Sequence, residues 1–203
     1  MDDVRTMGYA GKFWITEVGF ATSGIYPWTV TNSEFPLVVA KSLTLLSVSG
    51  VARVVWYTLL DKFLPSEVQR QTTVHSAEDN FGLAYPDYAP KNGAFAYHAV
   101  SMVADGSAYE PALVENGSRL IYVQVYPFIM VDGRLGIVAW STLPAHIEFS
   151  ETISGTMPSI NGPGQDAFSG KTLALSGTPI VLVTNGVVDT STAQHIRIHK
   201  SVF

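Results

Sequence analysis

The sequence predicts an α/β fold followed by an all-β one, and three observations carry that reading. Short runs rich in β-branched and aromatic residues at 12–17 and 51–60 bracket an apolar helical stretch at about 33–49, which makes a strand–helix–strand unit. A second helix, rich in aromatics, follows up to Ala104. From about Leu113 the hydrophobic period changes from helical to alternating, and glycine, proline and asparagine punctuate the chain.

The first strand is Phe13-Trp14-Ile15-Thr16, rich in strand formers and short enough to be one buried strand. A parallel strand buried on both faces reads as continuous apolar sequence, so Glu17 stands where the strand leaves the sheet. Ligands in α/β folds bind at that carboxyl end. Ahead of it, residues 1–8 read as the last turns of a helix stopped by Gly8 or Gly11. Behind it, the loop Gly19 to Trp28 holds Phe20, Tyr26 and Trp28. Such aromatics either tuck a loop onto the core or offer a flat platform to the C–H face of a pyranose.

The helix at 33–49 has its start signals in place. Thr31 and Glu34 have capping-box spacing, Pro36 falls in the first turn and Gly50 supplies the stop. The second strand centres on Val54-Val55-Trp56-Tyr57, and Trp56 occupies the position equivalent to Glu17 on the first. By type alone, Trp56 suits the core as well as a binding platform. The polar loop 61–80 contains Asp61, Glu67, His75, Glu78 and Asp79. Its length points to function, its charges read as a solvated face, and no pair has metal-ligand spacing on a regular element. Pro90 suits a helix start, Ala94, Phe95, Tyr97, His98, Val100, Ser101 and Met102 supply a face, and Gly106 ends it.

In the second half, Leu120 to Tyr126 and Leu135 to Ser141 read as strands joined through Val131-Asp132-Gly133-Arg134, where Asp-Gly is a hairpin signal. His146 to Phe149, Thr172 to Leu175 and Ile180 to Thr184 add three more, with Asn161 to Gly164 as a turn. Together they predict a small antiparallel β-sandwich. Residues 186–203 are either a tail with a further strand at His195 to His199 or the start of another module; the alternate histidines suit an edge strand better than a metal site.

Composition narrows the function. A hydrophobic content of 47% against 14% charged residues means a packed globular protein, and a net charge of −5 leaves no basic footprint for nucleic acid. Cysteine is absent, which removes disulfides, thiolate metal sites and a cysteine nucleophile. No apolar run reaches the roughly 18 residues of a membrane span, and the start lacks a signal-peptide pattern. No glycine-rich phosphate loop follows a strand, and Glu17-Val18-Gly19 offers no serine nucleophile context.

The string Trp14-Ile15-Thr16-Glu17-Val18-Gly19-Phe20 resembles the seventh-strand motif of the clan A retaining glycoside hydrolases. In that family the glutamate ending this strand is the catalytic nucleophile, and the eighth strand ends in a tryptophan, which Trp56 matches by place and type. Phe81-Gly82-Leu83, a turn, Pro90-Lys91 and an aromatic-rich helix resemble the closure of that barrel by its eighth helix. The resemblance implies that 1–106 holds the last two strand–helix units of a (β/α)8 barrel and 107–185 the trailing β-sandwich module, with 186–203 beyond it. It implies hydrolysis of β-linked poly- or oligosaccharides with Glu17 as nucleophile, Trp56 as the sugar platform, and Phe20, Trp28 and Tyr57 as further contacts. Lys91 and Phe81 take structural parts, no metal or organic cofactor is implied, and the family points to an extracellular or cell-surface location.

A whole barrel of this kind needs about 250 residues and eight strands, so residues 1–104 cannot close one. The chain therefore reads as the C-terminal part of a longer enzyme whose upstream half of the barrel is a required partner. Retaining hydrolysis needs two carboxyls about 5–5.5 Å apart. The family's acid/base is a glutamate after an asparagine on the fourth strand, and the nearest pair here, Glu115-Asn116, is reversed. The expectation is that the acid/base is absent from this chain and that the chain alone is inactive. The competing expectation is a non-catalytic carbohydrate-binding or cell-surface protein in which the sandwich acts and the barrel part is a remnant.

Overall fold

The computed structural model describes residues 6–8, 10–23, 29–64, 77–115, 120–187 and 196–200. The described part is mostly β-sheet with two long helices. The chain divides into two compact units, Met1–Ala94 and Phe95–Phe203, and the division falls inside the second helix.

In the first unit, β1 (Phe13–Val18) and β2 (Val51–Trp56) form a parallel pair joined through helix α1 (Phe35–Val48). The capping box forms as its spacing implies. The Thr31 N–H donates to Glu34 Oε2 at 2.9 Å, and the Glu34 N–H donates to Thr31 Oγ1 at 3.2 Å. Regular helix starts at Phe35, with Pro36 in the first turn, and Gly50 closes it with φ 78°. Phe35, Val39, Ala40 and Leu43 form its buried stripe, and the buried Thr44 hydroxyl donates back to the Ala40 carbonyl at 2.8 Å.

Two hydrogen bonds from Thr31, through its N–H and its hydroxyl, hold the exposed Glu34 carboxyl below its ordinary value. A carboxyl depressed in the folded state adds stability above its unfolded value, and that stability is lost as pH falls through the folded one. Glu34→Gln is therefore expected to lower the melting temperature slightly at neutral pH and to converge with wild type in acid; a constant offset from pH 7 to pH 3 would contradict this.

Strand β1 departs from the expectation of burial on both faces. Phe13, Ile15 and Val18 are half-buried, whereas Thr16 and Glu17 are exposed and Trp14 is 56% exposed. The same division runs along β2, where Val55 is exposed and Trp56 buried. A parallel sheet needs a layer on each face, and only one face of this two-stranded sheet is covered among the described residues. On the open face the Arg53 guanidinium lies 4.9 Å from the centre of the Trp14 ring, its register partner.

Helix α2 (Asn92–Ala104) leads into the second unit, where Gly106 ends it with φ 68°. A seven-stranded antiparallel sheet follows, made of β3 (Ala108–Tyr109), β4 (Val123–Ile129), β5 (Arg134–Ser141), β6 (Ala145–Pro158), β7 (Gln165–Leu175), β8 (Ile180–Val187) and β9 (Ile196–Lys200). Its order is β3-β4-β5-β8-β6-β7, with β9 also pairing β6. The Asp-Gly hairpin forms, with Gly133 at φ 81° and the Arg134 N–H donating to Asp132 Oδ1 at 3.1 Å. The strand expected at 120–126 instead starts at Val123, because Ile121 and Tyr122 make a turn in which the Val123 N–H donates to the Leu120 carbonyl.

Strands β6 and β7 are far longer than their apolar segments. They form a hairpin whose outer half mixes exposed residues such as Ser154 and Ser169 with Ile153 in the apolar cluster and Met157 and Phe168 packed against it, with an irregularity between Glu148 and Ile153. Inward-facing residues of β4, β5 and β8 share one apolar cluster with Ala145, Ile147 and Phe149 of β6, Leu173 and Leu175 of β7, and Ile196 and Ile198 of β9. Residues 196–200 thus belong to this same sheet.

Candidate active site

The open end of the β1–β2 pair carries the candidate carboxylate. Ile15 pairs with Val54 and Val18 with Trp56, so Thr16 and Glu17 together oppose the single residue Val55. This is a bulge, a device that re-aims side chains beside functional sites. Ile15 and Val18 both lie on the packed side and Glu17 on the open one. The expected position at the carboxyl end of the strand is met, with Glu17 one residue inside the strand rather than just past it.

The aromatics distribute differently from their listing along the chain. Trp56 is only 9% exposed, its ring centre 6.2 Å from that of Phe20 and 6.1 Å from that of Phe35. Its indole N–H donates to the Phe81 carbonyl at 3.2 Å. Trp56 and Phe20 thus pack with each other on the side away from Glu17. Tyr57 follows at the strand end, 38% exposed, with its ring centre 5.7 Å from that of Phe81 and its N–H donating to the Val18 carbonyl at 2.8 Å. The Tyr57–Thr58 peptide is cis. Trp28, with Tyr26 and His75, lies outside the described residues.

Two features of this rim went unread in the sequence. Gly19 has the Tyr57 carbonyl oxygen where a Cβ would be, and Phe81 2.9 Å from that same point, so only glycine lets the two strand ends approach. The second is a buried ion pair. Asp61, grouped above with the solvated loop charges, is buried, and that expectation is corrected. Lys91 Nζ lies 2.6 Å from Asp61 Oδ2, and both side chains are 2% exposed.

The pair is a junction. Lys91 Nζ also donates to Thr22 Oγ1 at 2.8 Å and to the Asn80 carbonyl at 3.4 Å, while Asp61 Oδ1 accepts the Gly82 N–H at 2.7 Å. Phe35 and Tyr85 rings lie 5.4 Å from the ammonium. Lys91 therefore ties the segment after β1 to the segment after β2 and to the far end of the long loop. Burial lowers the Lys91 ammonium and raises the Asp61 carboxyl from their ordinary values, and in each case the partner's charge and hydrogen bond oppose the shift. Held this way, the Asp61 carboxyl is shielded from solvent and engaged by Lys91 and the Gly82 N–H. An Asp shortly after an apolar strand and a Lys at the mouth of a helix were the available signals, 30 residues apart.

Among the described residues no group of three histidine, aspartate or glutamate side chains is placed to hold a metal ion, and no helix is long and apolar enough to cross a membrane.

No family model and no curated protein sequence matches the chain. Solved structures do. A family 39 glycoside hydrolase from the gut symbiont Bacteroides cellulosilyticus WH2 superposes with a TM-score of 0.53 at 21% identity, over 86% of this chain and 34% of its own. The catalytic domain of GH30 xylanase C from Talaromyces cellulolyticus gives 0.54 at 15% identity, over 88% of this chain and 42% of its own. The chain thus has a glycoside-hydrolase-like fold and spans about a third to two-fifths of the length of these structures.

Proposed function

We propose that the chain is the C-terminal part of a retaining glycoside hydrolase acting on β-linked poly- or oligosaccharides, with Glu17 as nucleophile. The observation that carries this reading is the bulge, which turns a lone carboxylate onto an open face at the carboxyl end of a strand, in a fold shared with glycoside hydrolases. In the proposed reaction one Glu17 carboxylate oxygen attacks the anomeric carbon and the glycosidic C–O bond breaks, leaving a glycosyl ester on Glu17. The leaving oxygen takes a proton from a second carboxyl, which then deprotonates the water that hydrolyses the ester. The resemblance puts the acid/base on a glutamate after an asparagine, a pair this sequence lacks, so in this reading the second carboxyl comes from strand–helix units outside these 203 residues and the chain by itself is inactive.

Tyr57, 38% exposed after the end of β2, takes the part of sugar platform in this reading, with its ring against Phe81, while Trp56 and Phe20 pack with each other. The antiparallel sheet of the second unit is the trailing β-sandwich module, and the protein acts at or beyond the cell surface. The test is labelling by a mechanism-based 2-fluoroglycoside with a good leaving group, read by peptide mass spectrometry. With the upstream barrel units present, label is expected on Glu17 and absent from Glu17→Gln. Turnover by the 203-residue chain alone, or label on another carboxylate, overturns the assignment.

A further inference from the structure

The open face of the β1–β2 pair has a composition that specifies what covers it. Trp14 and Val55 are more than half exposed there, and the two strands have no further strand partners among the described residues. Two parallel strands with one bare face are not a stable sheet by themselves. Arg53 sits in the middle of this apolar surface. Its guanidinium rests on the Trp14 ring, and no carboxylate among the described residues pairs with it. Glu17, on the same face, is three residues along β1 from Trp14 and makes no ion pair with Arg53.

We propose that this face is the docking surface for further parallel strand–helix units, and that those units present a carboxylate to Arg53. The inference rests on the barrel reading above and adds to it the chemistry of the covering surface. Covering Trp14 and Val55 removes Arg53 from water as well, since its guanidinium lies on the ring. A guanidinium that loses its water needs a charged, hydrogen-bonding partner, and its planar fork matches a carboxylate. Aliphatic side chains around that carboxylate complete the match to Trp14 and Val55. The contact lies toward the amino end of the strands, away from Glu17, so it bears on assembly and not on chemistry.

The experiment compares the same substitutions in two contexts: the 203-residue chain, and the whole product of the reading frame that contains it. In the 203-residue chain, Arg53→Met and Arg53→Glu are expected to shift the melting temperature by less than about 2 °C, because Arg53 is exposed. In the longer product, Arg53→Glu is expected to lower it by about 5 °C or more, with Arg53→Met in between. One Asp→Lys or Glu→Lys change in the added units then restores at least half of the loss. Equal, small shifts in both contexts overturn the inference while leaving the barrel reading intact, provided Glu17 still labels in the longer product. A reading frame without further strand–helix units overturns both.

Discussion

Lys91→Met is expected to destabilise the first unit by about 3–5 kcal/mol, because it leaves the Asp61 carboxylate buried with its partner gone. Asp61→Asn strands the Lys91 ammonium and should cost a similar amount. The double change Lys91→Met/Asp61→Leu removes both charges together, and replacing a buried pair by apolar groups of similar volume is often neutral or better. Most of the loss should therefore return, less the Thr22 and Gly82 hydrogen bonds that neither replacement can make. The single variant also carries a pH signature. Without Lys91, nothing but the Gly82 N–H offsets the desolvation that raises Asp61. A carboxyl raised in the folded state contributes stability below its unfolded value, and loses it as pH rises through the folded one. The deficit of Lys91→Met should therefore shrink between neutral pH and pH 4, measured as melting temperature against pH. A deficit independent of pH would mean that lost packing around Phe35 and Tyr85 dominates.

The second large effect belongs to β9. Ile196 is fully buried and sits in the shared apolar cluster of the second unit, opposite Phe149 of β6. Ile196→Ala is expected to cost about 2–5 kcal/mol, from lost transfer energy plus the cavity left behind. The neighbouring Arg197 points outward to Glu115, an exposed pair 2.6 Å apart, and Arg197→Ala should cost at most about 1 kcal/mol. Urea denaturation of the two variants separates the cases. Near-equal, small effects would show that 196–200 is laid on the sheet without being part of its core.

Much of this architecture could be read from residue order because the relevant signals are local. The capping box Thr31–Glu34, the Gly50 and Gly106 stops and the Asp132-Gly133 hairpin each depend on a few adjacent residues, and each forms. The position of Glu17 near the carboxyl end of β1 was legible for the same reason, through the short apolar run before it. What stayed hidden depends on partners distant in sequence. Asp61 looks like any loop charge until Lys91 and Gly82 converge on it. Trp56 suits a platform or a core equally by type, and its ring neighbours Phe20 and Phe35 are distant in the sequence. In the outer half of the β6–β7 hairpin the residues that pack on the apolar cluster, Ile153, Met157 and Phe168, are separated by serine, threonine and glycine that hide the strand period.

The extra residue at Thr16–Glu17 acts as a phase shift in the strand. Up to Ile15 the side chains alternate in one phase, with the odd positions packed; from Val18 onward the even position is packed instead. Removing Thr16 would restore strict alternation with Ile15 and Val18 still packed and the carboxylate still on the open face, whereas pairing the present sequence without the bulge would turn Glu17 to the packed side. The direction of the Glu17 carboxylate is thus set by where the strand takes up its extra residue, and losing Thr16 would remove the bulge without turning the carboxylate away.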